Sequence, residues 1–223
     1  MTHFELAIFD CDGVLVDSEP LSAAAHKAVY AKHGVDLPEG VMARCVGMKQ
    51  KDITRLIAGE IGFALPDESI PHIWLEVQKL MQQGLEPTPG IVEFLGTHFQ
   101  NRCVASSSAM ERISLSLAIT AIDRQFPAAR LFSSAMVARG KPAPDLFLHA
   151  ASHCLADPKN CAVFEDSPYG VQGAIAAGMT AFGYVGASHC GPNHAATLRD
   201  AGAEAVFSSW AEAAAYFNRN PYF

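Results

Sequence analysis

Apolar residues along the chain fall into two textures. Short, mostly apolar runs recur at residues 4–9, 102–106, 131–133, 161–164, 180–184 and 205–207, most of them flanked by turn formers. Such runs read as buried strands. From residue 91 onward they alternate with stretches of helical spacing, at 91–98, 109–119, 144–154, 168–177, 195–201 and 210–217. Alternating strands and helices imply a parallel sheet with helices on both faces. The stretch from Glu19 to Gln83 differs, because it shows helical spacing only. One helix is expected from Pro20, behind Ser18 as N-cap, to Gly34. Another lies near 38–45, a third runs from Gln50 to about Gly62, and a fourth from Ser69-Ile70-Pro71 to Gly84. The pattern predicts a Rossmann-like α/β core made of residues 1–16 and 88–223, with an all-helical insert at 17–87. The insert leaves just after the first strand and returns through Leu85-Glu86-Pro87-Thr88-Pro89-Gly90, a linker by composition. A block tethered there can close over whatever the first strand presents.

Composition narrows the class. Half of the 223 residues are hydrophobic, enough for a substantial core. A formal net charge of −7 argues against nucleic acid or an acidic membrane as partner. The six cysteines form no C-x-x-C pair and several lie in apolar runs, as expected of reduced core cysteines in a cytoplasmic protein. Residues 1–5 lack the basic and apolar regions of a signal peptide. The uncharged stretch 167–198 is broken by glycines, so no membrane span is expected and the chain reads as soluble.

Ligands of an open parallel sheet bind beyond the carboxyl ends of its strands. The first strand ends in Asp10-Cys11-Asp12-Gly13, two carboxylates close enough to raise each other's cost of ionisation, followed by a residue that can turn sharply. The next strand ends in Ser106-Ser107-Ser108, and a later one in Glu165-Asp166-Ser167. Lys141 follows another strand in Gly140-Lys141-Pro142. Together these supply a nucleophile, an acid or base, oxygen ligands for a divalent cation and donors for phosphate oxygens, which are the parts phosphoryl transfer requires.

The segment Phe9-Asp10-Cys11-Asp12-Gly13-Val14-Leu15-Val16-Asp17-Ser18, Ser106 after a strand, Lys141 in Gly-Lys-Pro-Ala-Pro-Asp, and Phe164-Glu165-Asp166-Ser167 occur in that order around a helical insert. This resembles the haloacid dehalogenase-like phosphatase superfamily over essentially the whole chain, and is most similar to its branch of β-phosphoglucomutases and sugar-phosphate phosphatases. The resemblance implies that Asp10 attacks phosphorus and forms an aspartyl-phosphate, and that Asp12 protonates the leaving oxygen and then activates water. It implies Mg²⁺ held by the Asp10 carboxylate, the Asp12 backbone carbonyl and Asp166, with Glu165 assisting. Ser106, with Ser107 beside it, would bind the phosphoryl group. Lys141 would hold Asp10 and the phosphoryl oxygens together.

Departures from the mutase pattern favour hydrolysis. Gln50 falls where the mutase carries a phosphate-gripping Arg, and Ser22 where it carries a His. Lys49 and Lys51 could replace that Arg, so the mutase stays as the alternative. A phospho-acceptor signalling domain is the alternative from another class. It uses strand-end acids, a hydroxyl and a Lys, but it has no helical insert and is about half this length. The expected substrate is a small phosphorylated sugar or sugar acid, 6-phosphogluconate for example, with Arg44, Lys49 and Lys51 of the insert meeting a second anionic group. Cys11 is expected in the core, Asp17, Asp67, Ser69 and Asp145 in turns or caps, and Trp74 and Trp210 as core anchors. His189, Cys190 and His194 invite a zinc reading, but their spacing matches no standard site.

Overall fold

The structure is a computed structural model and describes residues 4–220; the expectations for the amino-terminal segment and the last residues of the tail fall partly outside it. Its centre is a six-stranded parallel sheet in the order β3-β2-β1-β4-β5-β6. The strands are β1 (Leu6–Phe9), β2 (Arg102–Ser106), β3 (Leu131–Ser133), β4 (Cys161–Glu165), β5 (Thr180–Tyr184) and β6 (Ala205–Phe207). β1 pairs with β2 on one side and β4 on the other, Phe9 standing opposite both Val104 and Phe164. Strand order reverses direction beside β1, so the crevice where ligands bind in such sheets lies past Phe9.

β1 is buried along its whole length, and its side chains alternate between two cores. Leu6 and Ile8 face one cluster with Cys103, Val163, Leu146 and Phe147. Ala7 and Phe9 face the other, where Phe9 stacks on Phe164 at 4.7 Å between ring centroids and Trp210 packs against both rings. Trp210 is the expected core anchor; Trp74 is only half-buried.

The segment between β1 and β2 carries α1 (Glu19–Ala31), α2 (Gln50–Ile61) and α3 (Ile70–Gly84), and no strand. α1 and α3 pack together through Val29, Tyr30, Ile73 and Val77. The helix expected at 38–45 is reduced to one 3₁₀ turn, Met42–Cys45, because Gly40 and Gly47 on either side take positive φ. α2 stops at Gly62, which is left-handed. The remaining helices flank the sheet: α4 (Ile91–Thr97), α5 (Met110–Ile119), α6 (Asp145–His153), α7 (Pro168–Ala176), α8 (His194–Asp200) and α9 (Trp210–Arg219). Among the described residues no helix is long and apolar enough to cross a membrane.

The two ends of the helical segment are zipped together. Asp17 N–H donates to the Glu86 carbonyl and Thr88 N–H to that of Leu15, both at 3.0 Å. The Thr88 hydroxyl donates to the Val14 carbonyl at 2.5 Å and accepts the Trp210 indole N–H at 2.9 Å. The turn after Asp10-Cys11-Asp12 is thereby fastened to the same point from which the helices are hung.

Candidate active site

Each expected group arrives on a strand end. Asp10 follows β1, with its N–H bonded to the Phe164 carbonyl at 3.0 Å. Gly13 turns the chain with φ +75°. A Cβ there would fall 1.9 Å from Asp166 Oδ2, so only glycine lets the loop pass that close to Asp166. Lys141 Nζ donates to Asp10 Oδ1 at 2.9 Å and to Glu165 Oε1, with all three side chains at most 5 % exposed. The other Glu165 oxygen accepts the N–H and hydroxyl of Ser167 at 3.2 and 3.0 Å. Both oxygens of Glu165 are thus engaged, and its visible task is to hold Lys141. Burial alone would depress the Lys141 pKa, but the two carboxylates more than reverse this and raise it.

Asp10 and Asp166 are pushed the other way. Burial raises both carboxyls well above the usual range, and the neighbouring acids add to it, while Lys141 pulls each back only in part. Neither oxygen of Asp166 accepts a hydrogen bond among the described residues. His189 Nε2 lies 3.1 Å from Oδ2, off the direction a hydrogen bond needs, and burial holds that imidazole towards its neutral form.

Asp12 sits in a different environment. Oδ1 accepts Nη2 and Nε of Arg112 on α5, at 2.7 and 3.1 Å, and the Ser18 hydroxyl; Oδ2 accepts the Ser108 hydroxyl at 2.6 Å. Burial pushes Asp12 up, but Arg112 and the two hydroxyls outweigh it and leave the carboxyl below its ordinary value. The sequence leaves the charge of Asp12 open; this geometry favours its ionised form. Ser18 and Ser69 stand at the N-cap positions of α1 and α3 as expected, but neither side chain caps its helix: the Ser18 hydroxyl donates to Asp12 and that of Ser69 pairs with His33 at 3.0 Å. Sequence reasoning missed Arg112. The signal available was an Arg on the first turns of a helix that starts at a strand end, and it is not distinctive.

Ser106 is buried and its Oγ accepts the Ser108 N–H at 3.1 Å. Ser133 and Ser134, at the end of β3, donate to the carbonyls of Ser108 and Ser107 at 2.6 and 2.8 Å, fixing the peptide planes of that loop. Asp10, Asp12, Glu19, Ser22, Ser106, Ser107, Ser108 and Arg112 surround a space of about 30 Å³. Glu19, which sequence reasoning treated only as part of the first helix, is raised to about 7 by burial, with Asp12 adding to it. A neighbouring cavity of about 180 Å³ shares Met48, Ile53, Ser107, Ser108 and Arg112 with it, and adds Gln50, Ile73, Trp74, Val77 and Glu111.

The cations expected to meet a second anion are placed otherwise. Arg44 is exposed and paired with Glu60. Lys51 is exposed on α2. Lys49 reaches the core, where Nζ donates to the Ser134 carbonyl at 3.3 Å. Gln50 alone of this group turns to the 180 Å³ cavity, and its Nε2 meets His26 Nε2 at 3.1 Å. Gly47, at φ +78°, brings the same loop against Ser167, where a Cβ would fall 2.6 Å from the hydroxyl. Asp17 accepts the Ser188 N–H and Asp145 pairs with exposed Arg139, so neither enters the site. Cys11 is fully buried, as expected.

The family description haloacid dehalogenase-like hydrolase matches residues 4–178. A 6-phosphogluconate phosphatase of Escherichia coli is 32 % identical over 194 residues, covering 86 % of this chain and 87 % of that protein. A pseudouridine-5'-phosphatase of Drosophila melanogaster is 30 % identical over 198 residues, covering 80 % and 79 %. A solved haloacid dehalogenase-like protein of Agrobacterium tumefaciens superposes with a TM-score of 0.84 at 33 % identity, over 98 % of this chain and 99 % of that one.

Proposed function

The chain belongs to the haloacid dehalogenase-like hydrolases and is a phosphomonoester hydrolase, and we propose that it hydrolyses a small phosphorylated sugar or sugar acid with Mg²⁺ through an aspartyl-phosphate on Asp10. The observation that carries this reading is the buried Lys141–Asp10–Glu165 arrangement beside an Asp166 whose two oxygens have no hydrogen bond. The residues fit a divalent cation. Asp10, Glu165 and Asp166 bring one oxygen each within 4.8 Å of one another. The carboxyls of Asp10, Asp12, Glu165 and Asp166 face one buried cation, Lys141, and a largely covered Arg112, so the cluster holds more acids than bases. All-oxygen ligation suits Mg²⁺. Asp10 and Asp166 would hold it, with the Asp12 backbone carbonyl. When bound, it would supply charge neutralisation for the phosphoryl oxygens and the acid cluster.

The chain's own groups carry the rest. Lys141 keeps its charge and holds Asp10 Oδ1, so the other oxygen of Asp10 is the one aimed at phosphorus. Ser106, with Ser107 beside it in a loop pinned by Ser133 and Ser134, would receive phosphoryl oxygens. Asp12, ionised, has the state needed to take a proton from the water that attacks the phosphoenzyme. Protonating the leaving oxygen first requires that Asp12 take up a proton from solvent, which its bonds from Arg112 and Ser18 oppose. The space beside Asp10 is about 30 Å³, room for a water or two and not for a phosphoryl group. The helical segment 17–87 is therefore proposed as a cap that swings on the Val16–Pro87 contact to admit substrate. A neutral Gln50 engaged by His26, with Lys49 turned to Ser134, favours hydrolysis over transfer to a second phosphate. The test is a screen of phosphorylated metabolites with Mg²⁺. Release of phosphate from sugar phosphates, abolished in Asp10→Asn, is expected; wild-type turnover in Asp10→Asn rules out Asp10 as nucleophile.

A further inference from the structure

The loop after β5 does something that the phosphatase reading leaves unused. It gathers His189, Cys190 and, at the start of α8, His194, so that one ligand atom of each lies within 4.8 Å of the others. Cys190 Sγ is 3.4 Å from His189 Nε2, and that nitrogen is 3.1 Å from Asp166 Oδ2. A Zn²⁺ held at about 2.3 Å from sulfur and about 2.05 Å from nitrogen in tetrahedral geometry leaves about 3.6 Å between those two ligands. The observed separation is within a few tenths of an ångström of it. His194 Nε2 faces the Asp166 backbone carbonyl, which can only accept, so Nε2 carries the hydrogen and Nδ1 the lone pair. An imidazole donating one N–H to a backbone carbonyl is the usual arrangement of a metal-bound His. The three residues are half-buried, which leaves a route from solvent.

We propose that His189, Cys190 and His194 form a binding site for a thiophilic divalent cation such as Zn²⁺, directly beside Asp166. The donor set of two imidazoles and a sulfur is chemically unlike the all-oxygen cluster on the other side of Asp166, and selects a borderline-soft ion. On binding, the Cys190 S–H bond breaks, its proton goes to solvent and the sulfur lone pair binds the cation. Because His189 Nε2 lies 3.1 Å from Asp166 Oδ2, a cation held there opposes Mg²⁺ binding. That second half rests on the proposed phosphatase reading; the binding half does not.

The full-length protein, stripped of metal with a chelator, is titrated with Co²⁺ alone. The expected result is a near-ultraviolet thiolate-to-cobalt charge-transfer band that saturates at one equivalent and is displaced by Zn²⁺. The band should vanish in Cys190→Ser, weaken at least tenfold in apparent affinity in His194→Ala, and persist in Asp10→Asn. No thiolate band in the wild type, or a band that survives Cys190→Ser, overturns the site and leaves an ordinary thiol–imidazole contact. In a second arm, Zn²⁺ is expected to inhibit Mg²⁺-supported hydrolysis competitively in the wild type and at least tenfold less potently in Cys190→Ser. Equal inhibition of the two overturns the antagonism. A protein that binds Co²⁺ through Cys190 but hydrolyses nothing contradicts the phosphatase reading and not the site.

Discussion

Removing Arg112 isolates what keeps Asp12 ionised. In Arg112→Met the aliphatic stem remains while the guanidinium contacts at 2.7 and 3.1 Å are lost, and Asp12 keeps only the hydroxyls of Ser18 and Ser108. A hydrogen bond to a charged partner contributes about 1.5–3 kcal/mol, so losing the guanidinium should raise the Asp12 pKa, since burial is then opposed by the two hydroxyls alone. The sign follows from linkage. In the wild type the folded-state value is depressed, so ionised Asp12 stabilises the fold above its unfolded value near 3.9 and this contribution fades as pH falls through the depressed value. In the variant the barrier of burial is no longer offset, and Asp12 resists ionisation as pH rises. The stability difference between the two proteins should therefore grow between about pH 4 and pH 7, by about 1.5–3 kcal/mol. Urea unfolding in chelator at pH 4, 5.5 and 7, with midpoints and slopes compared, measures it. A difference that is the same at all three values refutes the claim that Arg112 acts on the charge of Asp12 and leaves it only a packing role.

Three further outcomes are expected. Asp166→Asn should raise the Mg²⁺ concentration for half-maximal hydrolysis about tenfold or more, since each ~1.4 kcal/mol of lost ligation is a factor of ten; an unchanged titration contradicts its part in holding the ion. Gly47→Ala places a Cβ 2.6 Å from the Ser167 hydroxyl at a φ of +78°, and the left-handed penalty alone is about 1–2 kcal/mol. It should raise KM roughly 5–30-fold with kcat less affected; unchanged KM means the loop does not dock on Ser167 when substrate binds. Glu19→Gln removes a carboxyl lifted to about 7 by burial, whose ionisation weakens the fold as pH rises from its ordinary value through 7. The variant's unfolding midpoint should gain on the wild type between pH 5 and pH 8, and a gain that is flat across that range counts against a buried Glu19.

What the sequence disclosed was whatever rests on local pattern. The strands were legible because a parallel sheet covered on both faces needs continuous apolar runs, and β1 is one. Asp10, Lys141 and Asp166 were legible because a strand end that carries an acid or a Lys is poorly explained by folding. Arg112, and the partners that Ser18 and His189 take, were hidden for the opposite reason. Each is ordinary where it stands, one on a helix, one before a helix and one in a Gly-rich loop, and each acquires meaning only through Asp12 or Asp166, from 6 to 100 positions away. The cations of the helical segment diverge for a related reason. Lys49, Lys51 and Arg44 are near one another in sequence, but α2 turns Lys51 outward and Arg44 finds Glu60, whereas Lys49, bonded to the Ser134 carbonyl, lines a cavity of about 310 Å³ with Gly140 and Lys141. Proximity along the chain does not determine direction on a helix.

The placement of Lys49 and Gly47 joins two features that would otherwise stand apart. Both sit on the loop before α2, and both press on the core segments that hold Lys141 and Glu165: Lys49 over Gly140 and Gly47 over Ser167. Ser167 in turn donates to Glu165, and Glu165 to Asp10 is bridged by Lys141. In the proposed cap movement on the Val16–Pro87 contact, opening the 30 Å³ space would at the same time lift the loop off the groups around Asp10, so that substrate entry and the alignment of Asp10 would be set together. Loosening the loop before α2 should consequently change both binding and the pH dependence of turnover, whereas Gln50→Leu, which alters the wall of the 180 Å³ cavity, should change binding alone.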